Sequence, residues 1–155
     1  MNSNTSRTCT FQIGQCRITV DLQRTKQFYS SLPRITDNCK CGYCQHYEKD
    51  IISKSNPFFD VLKRMNVDLS RQPNINPDGI SCVGETKPGK LEYLGYYFVY
   101  GHLGKTSKKN SLKDMEGNLE KVEFNNREFG ADMQVTIQKV DHEKLSFEFY
   151  MQVAD

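Results

Sequence analysis

The end of the chain carries a strict alternation of apolar and polar residues, and this pattern constrains the fold more than any other feature. From Leu145 to Val153 every second residue is apolar, while Ser146, Glu148, Tyr150 and Gln152 lie between them. Successive side chains of a β-strand point to opposite faces, so the segment predicts a strand with one buried face. A second alternation precedes it across a turn, which predicts a closing hairpin. That strand and turn comprise Met133, Val135, Ile137 and Asp141-His142.

Earlier segments predict further strands. Residues 9–13 and 16–22 alternate around Gly14-Gln15, which is typical of a hairpin with one buried face. Residues 91–100 are apolar on both faces, and such a strand is usually central in its sheet. Shorter apolar runs at 80–83 and 122–124 bring the expected total to roughly seven or eight strands.

Two helices are predicted between the first hairpin and the later strands. The first is expected over residues 41–53, and the second begins with Asn56 as its N-cap and Pro57 as its first helical residue. Residues 23–38 show no clean period and are interpreted as a packed connection. The apolar stripes of the two helices are Cys44, Tyr47 and Ile51, and Phe58, Val61, Leu62 and Met65.

Together these elements predict an α+β fold that is mainly antiparallel β. We expect a curled sheet or a sandwich, with the two helices inserted after the first hairpin. The length suits a single globular domain over 1–155, with about the first seven residues disordered. Residues 68–78 predict a loop, and the lysine- and serine-rich residues 104–118 predict a mobile one.

The charge balance and hydropathy argue against two classes of partner. The chain has 21 basic and 19 acidic residues, so no strong field gathers nucleic acid, and a nucleic-acid partner is not expected. No segment approaches the roughly 20 apolar residues that a membrane helix needs, and no secretion signal is recognisable. We therefore expect a cytoplasmic protein without a membrane partner, in which the six cysteines are reduced thiols.

The densest chemistry is a group of three thiols and an imidazole within eight residues, at Cys39, Cys41, Cys44 and His46. Two cysteines separated by two residues can chelate one zinc ion, and the other two side chains offer further ligands. A tetrahedral site normally takes a second pair of ligands from a distant segment, and the sequence offers no such pair. The remote candidates are Cys9, Cys16, Cys82, His102 and His142.

Two alternatives to zinc remain open for this group. Cys41-Gly42-Tyr43-Cys44 at a helix start could be a thiol-redox pair, since helix amides lower the pKa of the first thiol. The other interpretation is packing, with Cys44 as a small core residue beside Tyr47 and Ile51. The sequence favours packing, so no cofactor is expected, and zinc is the alternative.

The aromatic strand offers a second candidate site. Tyr96, Phe98, Tyr100 and His102 share one face and could form the floor of a groove for a ligand. The competing interpretation is core packing of a central strand. His102 and His142 have no recognisable carboxylate or nucleophile partner, which gives no support to acid–base catalysis.

The sequence contains no glycine-rich phosphate loop, nucleophile elbow, HExxH motif or paired carboxylates, which argues against an enzyme. The leading hypothesis is therefore a non-enzymatic accessory protein that acts on a protein partner, as immunity-type inhibitors do. A face of the sheet or the loop at 104–118 would make the contact. The alternative is a zinc-binding or thiol-redox protein that uses Cys39, Cys41 and Cys44.

Four short patterns are spread along the chain, and they are Leu32-Pro33, Cys41-x-x-Cys44-x-x-Tyr47, Phe58-Phe59-x-x-Leu62 and Leu145-x-Phe147-x-Phe149. Together they resemble a group of small uncharacterised bacterial proteins. The resemblance implies a bacterial cytosolic origin, and it implies no activity, cofactor or site residue.

Overall fold

A computed structural model describes residues 7–72, 81–104, 111–130 and 132–154. For residues 81–83, 86, 126 and 127 it describes only the backbone. The predicted disorder at the start of the chain lies almost wholly outside the described residues, and so do residues 73–78 and 105–110 of the two predicted loops.

The strands form one antiparallel sheet that is curled into a half-barrel. The order along the sheet is β1-β2-β4-β8-β7-β6-β5, and β3 pairs with β4 off this path. The predictions of a mainly antiparallel fold and a curled sheet are confirmed. The strands are β1 (Thr8–Ile13), β2 (Cys16–Asp21), β3 (Ser81–Lys87), β4 (Lys90–Leu103), β5 (Ser111–Lys113), β6 (Leu119–Phe124), β7 (Met133–Lys139) and β8 (Lys144–Ala154).

The region predicted to hold two helices forms a series of shorter elements, and helices also occupy much of residues 23–38, where the sequence predicts a packed connection. The segment from 41 to 53 is an α-helix that passes into a π-helical turn at Tyr47. The fourth helix begins as predicted, with Asn56 accepting hydrogen bonds from two backbone N–H groups. None of the described helices is long and apolar enough to cross a membrane. The elements are α1 (Leu22–Ser30), α2 (Ile35–Asn38), α3 (Gly42–His46), the π turn (Tyr47–Ile51), α4 (Pro57–Arg64) and α5 (Asn126–Phe129).

Strand β4 is central, and α1 fills a gap along one of its edges. One edge of β4 pairs with β8, while the other pairs with β3 at one end and β2 at the other. Between those two partners, the Tyr29 hydroxyl accepts from the Phe98 N–H and donates to the Phe98 carbonyl. The Thr25 hydroxyl accepts from the Tyr100 N–H. Side chains one helical turn apart on α1 thus satisfy backbone groups that a strand would otherwise pair.

The core lies on the concave inner face of the sheet, where the helices cover it. Phe149 of β8 is at its centre, and its ring stacks on Tyr97 with centroids 5.9 Å apart. From the helical side, Tyr47 and Phe58 approach the same ring, with centroids at 6.5 and 5.5 Å. Each of these side chains is 2% exposed or less, so the apolar alternation of β8 and the helical stripes meet in one core.

Buried tyrosine hydroxyls tie the helical layer to the sheet. Tyr97 donates to the Leu69 carbonyl at 2.8 Å and lies 2.7 Å from the Tyr47 hydroxyl. Tyr93 donates to the Tyr43 carbonyl at 3.0 Å. Burial raises the pKa of Tyr47 and of Tyr97, which keeps both phenols neutral as hydrogen-bond donors. The bond from Tyr93 to the Tyr43 carbonyl connects β4 directly to the cysteine-rich part of the chain.

Candidate metal centre

The candidate centre lies in the cysteine segment, which we define as residues 35–51 and which contains α2, α3 and the π turn. Cys39 directly follows α2, and its N–H donates to the Ile35 carbonyl at 3.1 Å. Cys41 is the N-cap of α3, and its Sγ accepts from the Cys44 N–H at 3.4 Å. Two short helices therefore bring the ends that carry the thiols together.

The structure gathers all three thiols into one cluster. The Sγ atoms of Cys39, Cys41 and Cys44 all lie within 4.8 Å of one another. Cys39 and Cys41 are exposed, whereas Cys44 is buried. The Cys44 residue of the cluster thus lies at the edge of the core, while Cys39 and Cys41 are accessible to solvent or to an ion.

The thiols differ in their acidity. The hydrogen bond from the Cys44 N–H lowers the pKa of Cys41, because it stabilises the thiolate. Burial raises the pKa of Cys44, and the neighbouring Cys39 and Cys41 raise it further. In the metal-free protein the pKa of Cys41 is therefore lower than that of Cys44, so Cys41 is the more readily ionised of these two thiols.

His46 is not among the clustered ligand atoms. Its Nδ1 lies 2.9 Å from an Asp50 carboxylate oxygen. His46 is two positions after Cys44, and residues at this i,i+2 spacing do not face each other on a helix. The assignment of His46 as a ligand stays a prediction.

The remaining cysteines occupy other positions in the sheet. Cys9 is exposed on β1, and Cys16 is buried at the start of β2. The backbone of Cys82 pairs with Tyr93, and its side chain lies outside the described part of the structure.

The second predicted site, the aromatic face of β4, is the outer face of the sheet. Tyr96 and Phe98 lie in edge contact, with ring centroids 4.9 Å apart. The Tyr100 ring contacts Phe28 of α1 and lies under the Arg24 guanidinium, 4.3 Å from the ring centroid. The side chains at 96, 98 and 100 are partly exposed, so this face is separate from the buried core.

His102 continues the outer face but borders a different space. It lines a cavity of about 540 Å³ at the end of the half-barrel, together with Lys113, Lys139 and Asp141. Neither Tyr96 nor Tyr100 is part of the described lining. The structure thus divides the binding residues predicted at 96, 100 and 102 between two surroundings.

Sequence reasoning missed the groups that hold the cysteine segment in place. The Tyr93 hydroxyl fixes the Tyr43 carbonyl, and the Glu48 carboxylate accepts hydrogen bonds from Thr36. Tyr93 lies 50 residues from its partner, and no local pattern reports such a contact. Glu48 sits at an ordinary helical position, where a carboxylate usually faces solvent.

Comparison of the chain with known protein families, with curated proteins and with solved structures found no match. The resemblance to small bacterial proteins stays a prediction.

Proposed function

We propose that this chain is a metal-binding protein in which Cys39, Cys41 and Cys44 hold a zinc ion as thiolates. The proposal depends on one observation, the mutual approach of the three Sγ atoms to within 4.8 Å. Zn–S bonds of about 2.3 Å in tetrahedral geometry place sulfur ligands roughly 3.8 Å apart. Side-chain adjustments of about 1 Å would bring the cluster to that spacing.

The chemistry of the donors favours a soft metal. All three clustered atoms are sulfur, and thiolates select zinc and other soft metals over calcium or magnesium. Three thiolates this close repel one another, and burial opposes ionisation of Cys44 in particular. A bound dication removes both penalties, because it pairs with the charges and replaces the protons.

The surrounding structure supports a structural role for the metal. Helix α2 has four residues and α3 has five, and isolated helices of this length are not stable in water. An ion held by Cys39 after α2, and by Cys41 and Cys44 at α3, would cross-link the two helices. It would thereby contribute folding free energy to a segment with few buried side chains.

The first test is metal content and thiol count in protein purified without a chelator. We expect one zinc per chain and protection of Cys39, Cys41 and Cys44 from alkylation, as located by peptide mass spectrometry. Replacement of zinc by cobalt should give a sulfur-to-cobalt charge-transfer band. A chain without stoichiometric metal, which takes up neither zinc nor cobalt and whose exposed thiols react freely, would contradict the proposal.

Single serine substitutions identify the ligands. Cys39→Ser, Cys41→Ser and Cys44→Ser should each weaken zinc binding by about tenfold or more, since each removes one zinc–sulfur bond. Cys9→Ser is the matched control, because Cys9 is exposed on a strand outside the cluster, and zinc affinity should not change. Extension of the panel to all six cysteines would reveal any further sulfur ligand.

The affinity for zinc should also depend on pH with a defined sign. Binding displaces thiol protons, so acidification weakens it. Because the pKa of Cys44 is raised by burial, its proton is the hardest to remove at neutral pH. We expect zinc affinity to increase as the pH rises from about 6 to 8. An affinity that is independent of pH over this range would contradict thiolate ligation.

Thiol redox is the competing function for the same cluster. In that scheme the Cys41 thiolate attacks a disulfide of an oxidised partner and forms a mixed disulfide. Cys44, once deprotonated, then displaces the partner thiol, which leaves a Cys41–Cys44 disulfide and a fully reduced partner. The test is to incubate metal-loaded protein in a glutathione buffer of cytosolic potential. Quantitative formation of the Cys41–Cys44 disulfide there would favour a thiol-redox function over a structural metal site.

The action on a protein partner stays a prediction. The loop at 104–118 is described only in part, and the outer aromatic face contains rings that already contact Arg24 and Phe28. A pull-down from the native host that recovers a stoichiometric partner, with the contact mapped to this face, would support the prediction.

A further inference from the structure

The carboxylate of Glu48 joins the π turn to α2 within the cysteine segment. Its side chain is only 6% exposed. Oε1 accepts hydrogen bonds from the Thr36 N–H at 3.2 Å and from the Thr36 hydroxyl at 3.1 Å. The Arg34 guanidinium donates to Oε2 at 3.3 Å. A buried carboxylate is costly unless it is hydrogen-bonded, so Glu48 is held in this arrangement by its partners.

The positions of Thr36 and Glu48 in the chain connect this contact to the metal site. All three clustered cysteines lie between these two residues. On one side, Thr36 belongs to α2, and the Ile35 carbonyl of the same helix accepts from the Cys39 N–H. On the other side, Glu48 belongs to the π turn that continues α3, which carries Cys44. The Glu48–Thr36 contact therefore joins the two ends of the stretch of chain that carries the three thiols.

We propose that Glu48 is a positioning residue of the metal site, which holds α2 against the π turn so that the three thiols converge before a metal binds. This inference rests on the proposed function. Groups behind the ligands that fix their orientation typically change metal affinity about 10–100-fold when they are removed. Without the contact, the loop that carries the thiols must be ordered by the metal itself, and part of the binding free energy is lost to that ordering.

The central experiment is cobalt and zinc titration of Glu48→Ala against a competing chelator. We expect zinc affinity to fall about 10–100-fold while the cobalt spectrum at saturation stays that of a thiolate site, because the ligands themselves remain. Glu143→Ala is the matched control. Glu143 also pairs with an arginine, Arg24, at 3.0 Å, but far from the cysteines in the chain, and its removal should leave the affinity unchanged.

Conservative variants separate positioning from general stability. Glu48→Gln retains a carbonyl oxygen that accepts from Thr36, so its affinity should lie between those of the native protein and Glu48→Ala. Thr36→Ser keeps both donors and should retain native affinity, whereas Thr36→Val loses the hydroxyl and should weaken binding. All titrations are made where circular dichroism shows every variant to be folded. If Glu48→Ala does not fold, the glutamine and Thr36 variants carry the test.

The outcomes distinguish this inference from the proposed function. Native affinity in the Glu48 and Thr36→Val variants, or equal losses in Thr36→Ser and Thr36→Val, would overturn the positioning role and leave the metal site intact. A native chain that binds neither cobalt nor zinc would overturn the metal site and the positioning role together.

Discussion

The sheet and the cysteine segment are held together in different ways. On the inner face of the sheet, Phe149 has aromatic neighbours from β4, the π turn and α4, and removal of any one neighbour leaves the others. The cysteine segment shares that core through Tyr47, but its thiol-bearing part depends mainly on single contacts, such as Tyr93 with the Tyr43 carbonyl and Glu48 with Thr36. The sheet is stabilised by shared packing, and the thiol-bearing part of the segment mainly by a few directional bonds.

This difference indicates where an added ion can act. Packing in the sheet leaves little for a metal to contribute, because apolar burial already offsets the entropy of ordering. Helices of four and five residues are too short to offset the conformational entropy lost on ordering by themselves. The thiols lie in the region where a few strong bonds change the local stability most.

The largest expected effect comes from Phe149→Ala. Phe149 is 2% exposed and lies at the centre of the aromatic core, so its truncation should destabilise the protein by about 3–5 kcal/mol. Chemical denaturation followed by far-ultraviolet circular dichroism measures the loss. Because the helical layer packs on the same ring, both regions should unfold together. Separate unfolding of the sheet and the cysteine segment would contradict a single shared core.

The next effect concerns the sheet alone. Gly101 of β4 lies against β2, and an added Cβ would overlap the Thr19 carbonyl oxygen. Gly101→Ala should therefore force β2 away from β4 and cost about 1–3 kcal/mol. Zinc affinity, measured by chelator competition, should be unchanged because the strain lies in the sheet. A reduced affinity in this variant would show that the two regions are more tightly coupled than their contacts indicate.

Much of the sheet could be predicted from the sequence, because its signal is local and repeats every two residues. The alternation of Leu145 to Val153 places the same face inward that the structure buries. For residues 23–38 the sequence predicts a packed connection, but the structure has helix α1 over much of that range. The sequence signal for α1 is weak, since Asp21 caps its start and only Thr25 and Tyr29 of the helix are fully buried. The hydroxyls of both side chains form hydrogen bonds with backbone groups at the edge of β4, and a pattern of apolar residues does not predict such bonds.

The site was predictable only as far as neighbouring residues determine it. Cys39, Cys41 and Cys44 are close in the chain, and their clustering follows from short spacing and a helix start. The contacts that hold them, through Tyr93 and Glu48, depend on how the segment packs and on the π turn. Such contacts arise from tertiary structure, which sequence periodicity does not encode.

A smaller effect tests the connection between the two regions. Tyr93→Phe removes the donor to the Tyr43 carbonyl and should cost about 1 kcal/mol of stability, with a measurable loss of zinc affinity. Tyr29→Phe is the matched control, because it removes a buried hydroxyl bonded to the Phe98 backbone instead. The control should lose comparable stability in denaturant and retain its affinity for zinc. Equal zinc affinities in the two variants would place the Tyr93 bond outside the support of the site.

The smallest effect is expected at the outer surface. Arg24 pairs with Glu143 at 3.0 Å, and both side chains are substantially exposed, at 45% and 59%. Solvent screens such a pair, so Arg24→Gln should lower stability by less than about 1 kcal/mol, including the loss of its contact with the Tyr100 ring. The comparison with Glu48 is informative because Glu48 also pairs with an arginine but is nearly buried. A loss in Arg24→Gln as large as that in Glu48→Gln, measured by denaturation at two salt concentrations, would mean that burial is not what distinguishes the cysteine segment.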